Sequence, residues 1–223
     1  MGDLVRTPHS EITATLEILD VHGVKTVDLD RFRRASTYFH SMVAKALIDG
    51  RESFFTGLKP SILPIDRSTP FDPAKLIGKG WSIWKGPADG DGLTGEEGQD
   101  QRSLALTEVD LSKIMLRTSL KNKKETYIKG EETLNRLKKA KCIRLDAQVF
   151  LTLWKDQNRI PASFKELTNG NTTFIFFDGA VLRGPDGYRY ALCLYFSGVR
   201  WGWCYGWLDL VRYANDPSAV VAS

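Results

Sequence analysis

The chain has 223 residues, of which 42% are hydrophobic and 26% are charged, and its formal net charge is +4. These values are ordinary for a globular protein that forms one large domain or two small ones. No stretch approaches the roughly 20 consecutive apolar residues of a bilayer span, and the N-terminus lacks the apolar region of a secretory signal. We therefore expect a soluble, cytoplasmic protein without a membrane partner.

Residues 1–58 are predicted to form a helical N-terminal part. Its longer helix begins at a cap formed by Asp28 or Asp30 and ends at Asp49, before Gly50. Apolar residues recur there every three or four positions, which is typical of the core side of an amphipathic helix.

Residues 59–109 are predicted to form a Pro/Gly-rich connector. Four prolines lie within residues 60–73, and seven of the 21 residues in 78–98 are glycine. Such residues interrupt regular secondary structure. Trp81 and Trp84 precede an acidic loop, and because a solvated loop seldom carries two tryptophans, we expect this segment to dock on a neighbouring element.

Residues 110–223 are predicted to form a C-terminal domain with helices followed by antiparallel strands. Three predicted helices begin at Asp110, Gly130 and Asp146. The residues expected to face the core are Ile114, Met115 and Leu120 in the first helix, Leu134 and Leu137 in the second, and Val149, Phe150, Leu153 and Trp154 in the third.

The hydrophobic pattern changes to a period of two after Gly170, and half of all aromatic residues lie within residues 172–213. The predicted strands are 172–177, 180–183, 188–196 and 199–207, separated by turns at Asp178-Gly179, Gly184-Pro185-Asp186-Gly187 and Ser197-Gly198. The prediction is an α+β fold with helices packed on an aromatic-rich antiparallel meander, which glycines would allow to close into a small SH3-like barrel. We expect Phe150 and Trp154 to meet its inner face.

The last predicted strand places its aromatic residues on one face, because alternate side chains of a strand point to opposite sides. We call Trp201, Trp203, Tyr205 and Trp207 the aromatic ridge. Glycines lie on the opposite face, where we expect another element to pack closely. The aromatic ridge can be a wall of the core or an open platform on which a ligand stacks, and the sequence leaves both interpretations open.

All the excess positive charge lies between Lys121 and Arg144, where nine Lys or Arg residues face three Glu residues. The candidate phosphate-binding residues are Lys121, Lys123, Lys124, Lys138, Lys139, Lys141 and Arg144. Two helices and a hairpin follow the order of a winged helix, but the helix after Asp146 has few cations with which to read duplex DNA. Phosphate contacts combined with base stacking on aromatic residues fit better, and a solvated helix face with ion pairs such as Glu132 to Arg136 is the structural alternative.

No catalytic, metal-binding or cofactor signature is present in the sequence. Gly78-Lys79 lacks the spacing of a phosphate-binding loop. The run Asp89-Gly90-Asp91-Gly92 lacks the third ligand, the glycine and the closing glutamate of a calcium loop. The three cysteines, Cys142, Cys193 and Cys204, match no zinc-binding spacing, and we expect them to be buried, reduced thiols.

Three functional hypotheses follow. The leading one is a non-enzymatic binding module that contacts nucleic acid through the basic segment and the aromatic ridge. A protein-interaction module that uses the aromatic ridge is the alternative. An enzyme that combines carboxylates such as Asp89, Asp91 and Asp178 ranks third, since Asp178 beside Gly179 is more simply explained as a turn residue.

Four runs of the sequence resemble a family of small proteins from ultrasmall, genome-reduced bacteria. They are Gly80-Trp81-Ser82-Ile83-Trp84-Lys85-Gly86-Pro87-Ala88-Asp89-Gly90, Ile143-Arg144-Leu145-Asp146-Ala147, Ile175-Phe176-Phe177-Asp178-Gly179 and Pro217-Ser218-Ala219-Val220. The resemblance covers most of the chain after about Asp30. It transfers no activity, cofactor or site residue, and it implies a bacterial cytoplasmic setting.

Overall fold

The structure is a computed structural model that describes residues 61–90, 99–122 and 124–223. The chain divides into two units, Met1–Lys59 and Pro60–Ser223, and every described residue belongs to the second unit. The predicted helix that ends at Asp49, the acidic Asp91 and the basic Lys123 lie outside the described residues.

Strands dominate the described part of the chain. They are β1 (Ile62–Pro64), β2 (Ser82–Ile83), β3 (Glu108–Asp110), β4 (Met115–Arg117), β5 (Ile128–Lys129), β6 (Cys142–Arg144), β7 (Phe174–Arg183), β8 (Arg189–Phe196), β9 (Trp201–Trp207), β10 (Val211–Arg212) and β11 (Ser218–Ala222). The α-helices are α1 (Pro73–Leu76), α2 (Gln101–Leu104), α3 (Gly130–Lys139) and α4 (Ala147–Lys155). Short 3-10 turns occupy Gly86–Asp89, Leu111–Lys113, Gln157–Arg159 and Ala162–Lys165. None of the described helices has the length and apolar character needed to cross a membrane.

The fold is mixed α+β, with a curled sheet that forms a half-barrel. Its main strand order is β4-β11-β7-β8-β9, while β2 also pairs with β7 and β6 also pairs with β11. Strands β7, β8 and β9 form the predicted antiparallel meander. The pairing of β11 with β7 is parallel, so the sheet is mixed rather than purely antiparallel.

The predicted turn at Asp178-Gly179 is wrong. Strand β7 continues through both residues, with a shift in its register against β8 between Phe177 and Leu182. The Gly179 amide donates to the carbonyl of Leu145 over 2.9 Å, and a β-carbon at Gly179 would lie 2.7 Å from the same oxygen. This glycine therefore permits close contact between two backbone segments rather than a reversal of the chain.

The predicted helix after Asp110 is also wrong. The Asp110 side chain does cap the following turn by accepting from the Ser112 amide, but that turn ends at Lys113. Strand β4 follows and pairs with β11, so Met115 lies in an edge strand and is 48% exposed. Pairing with a strand about a hundred residues away has overridden the local helical pattern.

Helix α4 covers one face of the sheet, as predicted. The Asp146 side chain accepts from the amides of Gln148 and Val149 and so caps the helix. The Phe150 ring meets the rings of Phe177 at 5.5 Å and Trp203 at 6.1 Å, measured between ring centroids. We call this side of the sheet the α4 face.

Helix α3 covers the opposite side, which we call the α3 face. Leu134 packs there in a second apolar cluster with Phe176 and Cys193. Phe176 and Phe177 are consecutive residues of one strand, so their side chains point to opposite faces. The two helices therefore cover opposite faces of the sheet, and each packs on its own apolar cluster.

The predicted docking of the Trp81–Trp84 segment is confirmed. Strand β2 pairs with β7, and Trp84 is only 1% exposed. The Trp81 ring meets the rings of Tyr190 at 5.0 Å and Tyr205 at 4.5 Å. This part of the connector is thus an integral component of the sheet and its aromatic surface.

The prediction of three reduced cysteines is wrong for two of them. Cys193 and Cys204 lie directly opposite each other on β8 and β9 and form a disulfide, whereas Cys142 is a buried free thiol. The sequence spacing did not show this pairing, because it depends on the register of the two strands. Disulfides are typical of oxidising compartments and rare in the cytosol. The cytoplasmic location expected from the sequence stays a prediction.

Candidate nucleic-acid interface

The aromatic ridge is divided between the core and the surface. Trp201 is buried, and the half-buried Trp203 ring contacts Phe150 and Trp154 of α4. Tyr205 is 45% exposed, and Trp207 is half-buried. The first half of the aromatic ridge is therefore a wall of the core, and the second half reaches solvent.

The aromatic ridge and the basic helix lie on opposite sides of the sheet. Trp203 is paired with Leu194 of β8, and both side chains belong to the α4 face. The neighbouring Cys193 points the other way and packs with Leu134 of α3. The sequence hypothesis joined the aromatic ridge and the basic segment in one binding surface, but the sheet separates them.

Arg144, predicted to contact phosphate, is buried. It is 2% exposed, and its Nε atom lies 3.3 Å from Oδ2 of the Asp100 carboxylate. Its Nη1 atom donates to the backbone oxygen of Asp178 over 3.3 Å. Because a phosphate cannot reach this side chain in the described fold, we exclude Arg144 from the candidate interface.

Asp178, one of the carboxylates considered for an enzyme, is fully buried in a network of polar groups. Its two oxygens accept from Nη1 and Nη2 of Arg212 over 2.7 and 2.9 Å. The Ser218 hydroxyl donates to Oδ2 over 2.5 Å. Asp178 thus joins β7, β10 and β11 and has a structural role. Among the described residues, no three His, Cys, Asp or Glu side chains are grouped closely enough to hold a metal ion.

Five of the predicted phosphate-binding lysines lie within the described residues. Four of them are exposed and one, Lys138, is half-buried; the exposed ones are Lys121, Lys124, Lys139 and Lys141. In residues 99–122 and 124–223, no carboxylate forms an ion pair with any of the five. Their charges are therefore available to an anionic ligand.

Arginines neutralise the glutamates of the same segment. Arg136 forms ion pairs with Glu125 at 2.6 Å and with Glu132 at 2.8 Å, which confirms the predicted pair between Glu132 and Arg136. Glu131 pairs with Arg189 of β8 at 3.0 Å. Because an arginine pairs with each of these three glutamates, none of the three forms an ion pair with the five described lysines.

Arg136 also fixes the turn before α3 against the helix. Its Nη1 atom donates to the Ser119 carbonyl over 2.8 Å, and Glu125 accepts from the Lys121 amide over 2.6 Å. Hydrogen bonds from Arg136 lower the pKa of Glu125 to about 2. The hydrogen bond with Arg136 also lowers the pKa of Glu132, and the charges of Lys121 and Lys139 lower it further. Lys121 in the turn and Lys139 near the end of α3 therefore both lie close enough to Glu132 to act on it.

Two exposed tyrosines, one of them within the basic segment, were not identified from the sequence. Tyr127 is 57% exposed and Tyr213 is 51% exposed, and their ring centroids are 6.4 Å apart. The pairing of β5 with β10 brings the two rings together. Tyr127 could have been noticed because it lies within the basic segment, but its contact with Tyr213 depends on strand pairing.

Comparisons of this chain with protein-family models, with curated proteins and with solved structures found no match. No relative therefore supplies a function or a set of site residues. The charge, exposure and geometry of the lysines and tyrosines carry the functional argument.

Proposed function

We propose that this protein is a non-enzymatic binding module for single-stranded nucleic acid. Its binding surface, here called the lysine-tyrosine surface, consists of Lys121, Lys124, Lys138, Lys139, Lys141, Tyr127 and Tyr213. The observation that carries the proposal is the combination of two exposed, adjacent tyrosine rings with five lysines that form no ion pair with a described carboxylate.

The two residue types have complementary roles. Lysine side chains neutralise phosphates and release condensed counterions, which favours binding without regard to base sequence. Tyrosine rings offer flat surfaces on which unpaired bases stack. Of the residues of helix α4, Lys155 alone is exposed, so this helix has no open side with which to read duplex DNA.

A salt series with a labelled single-stranded oligonucleotide tests the proposal. Each phosphate contact to a single strand contributes about 0.7 to the slope of log affinity against log salt concentration. Changing Lys138, Lys139 and Lys141 together to alanine should lower that slope by about 2. A parent protein that fails to bind the oligonucleotide at low salt would contradict the proposal.

A matched variant separates the local surface from overall charge. Lys75, Lys79 and Lys155 are exposed lysines outside the basic segment, and changing them to alanine removes the same net charge. We expect this control variant to keep the parent's salt slope. An equal loss in both triple variants would show that binding follows net charge rather than the lysine-tyrosine surface.

A protein-interaction module is the alternative proposal, and the position of β9 favours it. In the described part of the chain β9 pairs with β8 alone, so its outer edge could accept an extended peptide. If the sheet closed completely into an SH3-like barrel, β9 would have no free edge. A closed barrel and peptide binding at β9 therefore exclude each other. If a peptide partner binds there, Tyr205→Ala should weaken the complex, with only slight sensitivity to salt. The same variant should leave oligonucleotide binding unchanged if the leading proposal is correct.

A further inference from the structure

A cleft of about 670 Å³ adjoins the lysine-tyrosine surface. Uncharged polar side chains and one aromatic ring dominate its lining, and they include Asn122, Thr126, Asn169, Asn171, Tyr213 and Asn215. Glu125 also lines the cleft, but both its oxygens are held by Arg136. Within the described lining residues, the cleft therefore presents amides, hydroxyls and an aromatic face rather than an unpaired charge.

Two of the amides have complementary hydrogen-bonding capacity. Oδ1 of Asn122 accepts from the backbone amides of Lys124 and Glu125 over 2.9 and 3.2 Å, so its Nδ2 group remains a donor. Nδ2 of Asn215 donates to the Thr172 carbonyl over 3.0 Å, so its Oδ1 atom remains an acceptor. The cleft can thus both donate to and accept from a neutral polar ligand.

A tight turn presents a third amide in a fixed backbone conformation. Asn169 and Gly170 have positive φ angles of 53° and 78°, and Thr168 and Asn171 exchange two backbone hydrogen bonds across them. Asparagine tolerates this left-handed conformation better than most residues do. The Asn169 side chain is exposed at the cleft.

We infer that the cleft receives one unpaired nucleobase, with Tyr213 stacking on its face and the asparagine amides hydrogen-bonding to its edge. This inference rests on the proposed function, because the lysine-tyrosine surface would hold the phosphates of the same strand. Lys121 directly precedes Asn122 and Lys124 follows it two positions later, which places positive charge beside the cleft. Amide side chains and aromatic rings are the groups with which proteins recognise splayed bases.

Removing bases from the ligand tests the inference. The parent should bind an oligonucleotide about tenfold more tightly than an abasic strand with the same number of phosphates, because each stacked base contributes affinity. The two strands should show the same salt slope. Tyr213→Ala should reduce the preference for the base-containing strand, with Tyr127 still able to stack a base. Tyr188→Ala, which alters an exposed tyrosine beside Trp207, should retain the preference in full.

A second pair of variants tests the amides without straining the backbone. Asn169→Gly removes the side chain but permits the left-handed turn, and it should reduce the preference for bases. Asn135→Ala alters an exposed amide of α3 outside the cleft and should preserve that preference.

The outcomes separate the base site from the phosphate surface. Equal affinity for normal and abasic strands, with the salt slope intact, would overturn the base site and the stacking role of the tyrosines but leave the phosphate contacts of the lysines in place. A titration with free nucleosides, followed through the NMR signals of Asn169 and Tyr213, tests base binding at the cleft independently of strand binding. Nucleoside shifts at the cleft without salt-dependent strand binding would retain the base site and overturn the proposed function. A matching response to a simple sugar would overturn the assignment to a nucleobase.

Discussion

The two faces of the sheet are covered by different kinds of side-chain contact. On the α4 face, aliphatic and aromatic side chains of α4 interlock with those of β7, β8 and β9. On the α3 face, a smaller apolar cluster is supplemented by cations, with Arg212 stacked 3.8 Å from the Phe176 ring centroid and Arg189 stacked 3.9 Å from that of Trp84. A disulfide between β8 and β9 lies on this face as well.

This difference explains where a binding surface can lie. The α4 face uses its aromatic residues to form the core, which leaves only the end of the aromatic ridge exposed. Helix α3 buries Leu134 and Leu137, while its Lys139 is exposed and its Lys138 is half-buried. The α3 side of the sheet can therefore carry a charged ligand without disturbing its apolar contacts.

The largest expected effect comes from breaking the network that joins the strands. Asp178→Ala leaves the Arg212 guanidinium buried without its carboxylate partner. Removing one member of a buried ion pair costs about 3–5 kcal/mol, and urea unfolding should show a loss of this size. Asp186→Ala, in an exposed turn, is the control and should cost far less. Equal losses in the two variants would contradict a special role for the buried pair.

The disulfide, which lies on the α3 face, should contribute less to the free energy of unfolding than the buried ion pair does. Its cysteines are 11 residues apart, and closing a loop of that size stabilises a folded chain by about 2–3 kcal/mol. Thermal unfolding with and without a reducing agent measures this contribution. The Cys193→Ala and Cys204→Ala double variant should unfold like the reduced parent and should not respond to the reducing agent. A response in the double variant would mean that another thiol is responsible.

The glycines of β9 test how tightly the α3 face is packed. A β-carbon at Gly206 would lie 2.7 Å from the ring of Phe176, which is buried beneath Arg212. Gly206→Ala should therefore cost about 1–3 kcal/mol, the usual range for overpacking. Gly202→Ala meets the half-exposed Tyr195 ring, which can turn outward, so its loss of stability should be smaller. The reverse order in chemical unfolding would show that Tyr195 is held more firmly than Phe176.

The smallest expected effect concerns the turn that Arg136 holds against α3. Arg136 lowers the pKa of Glu125 from 4.5 to about 2. The ion pair between them therefore stabilises the folded chain fully above the ordinary pKa of Glu125, and this stabilisation is lost as the pH falls towards 2. NMR titration of the Glu125 carboxyl group should give a midpoint near 2. Arg136→Gln should raise that midpoint towards the ordinary value. An unchanged midpoint would exclude Arg136 as the cause.

Several elements of the fold could be predicted because neighbouring residues determine them. Asp146 begins α4, Leu134 and Leu137 mark the buried side of α3, and Gly184–Gly187 marks the reversal between β7 and β8. These features depend on a side-chain cap, on helical periodicity and on local turn geometry. The same local reasoning failed for β4 and for Asp178-Gly179, where contacts with distant segments decide the structure.

The candidate site shows the same division. The sequence by itself determined that the excess positive charge lies in one segment and that alternate residues of β9 carry the aromatic ridge. Only the tertiary structure decided that Arg144 is buried, that the sheet separates the aromatic ridge from α3, and that Tyr127 meets Tyr213. Composition and periodicity are properties of adjacent residues, whereas burial and contact across a sheet depend on the pairing of strands far apart in the chain.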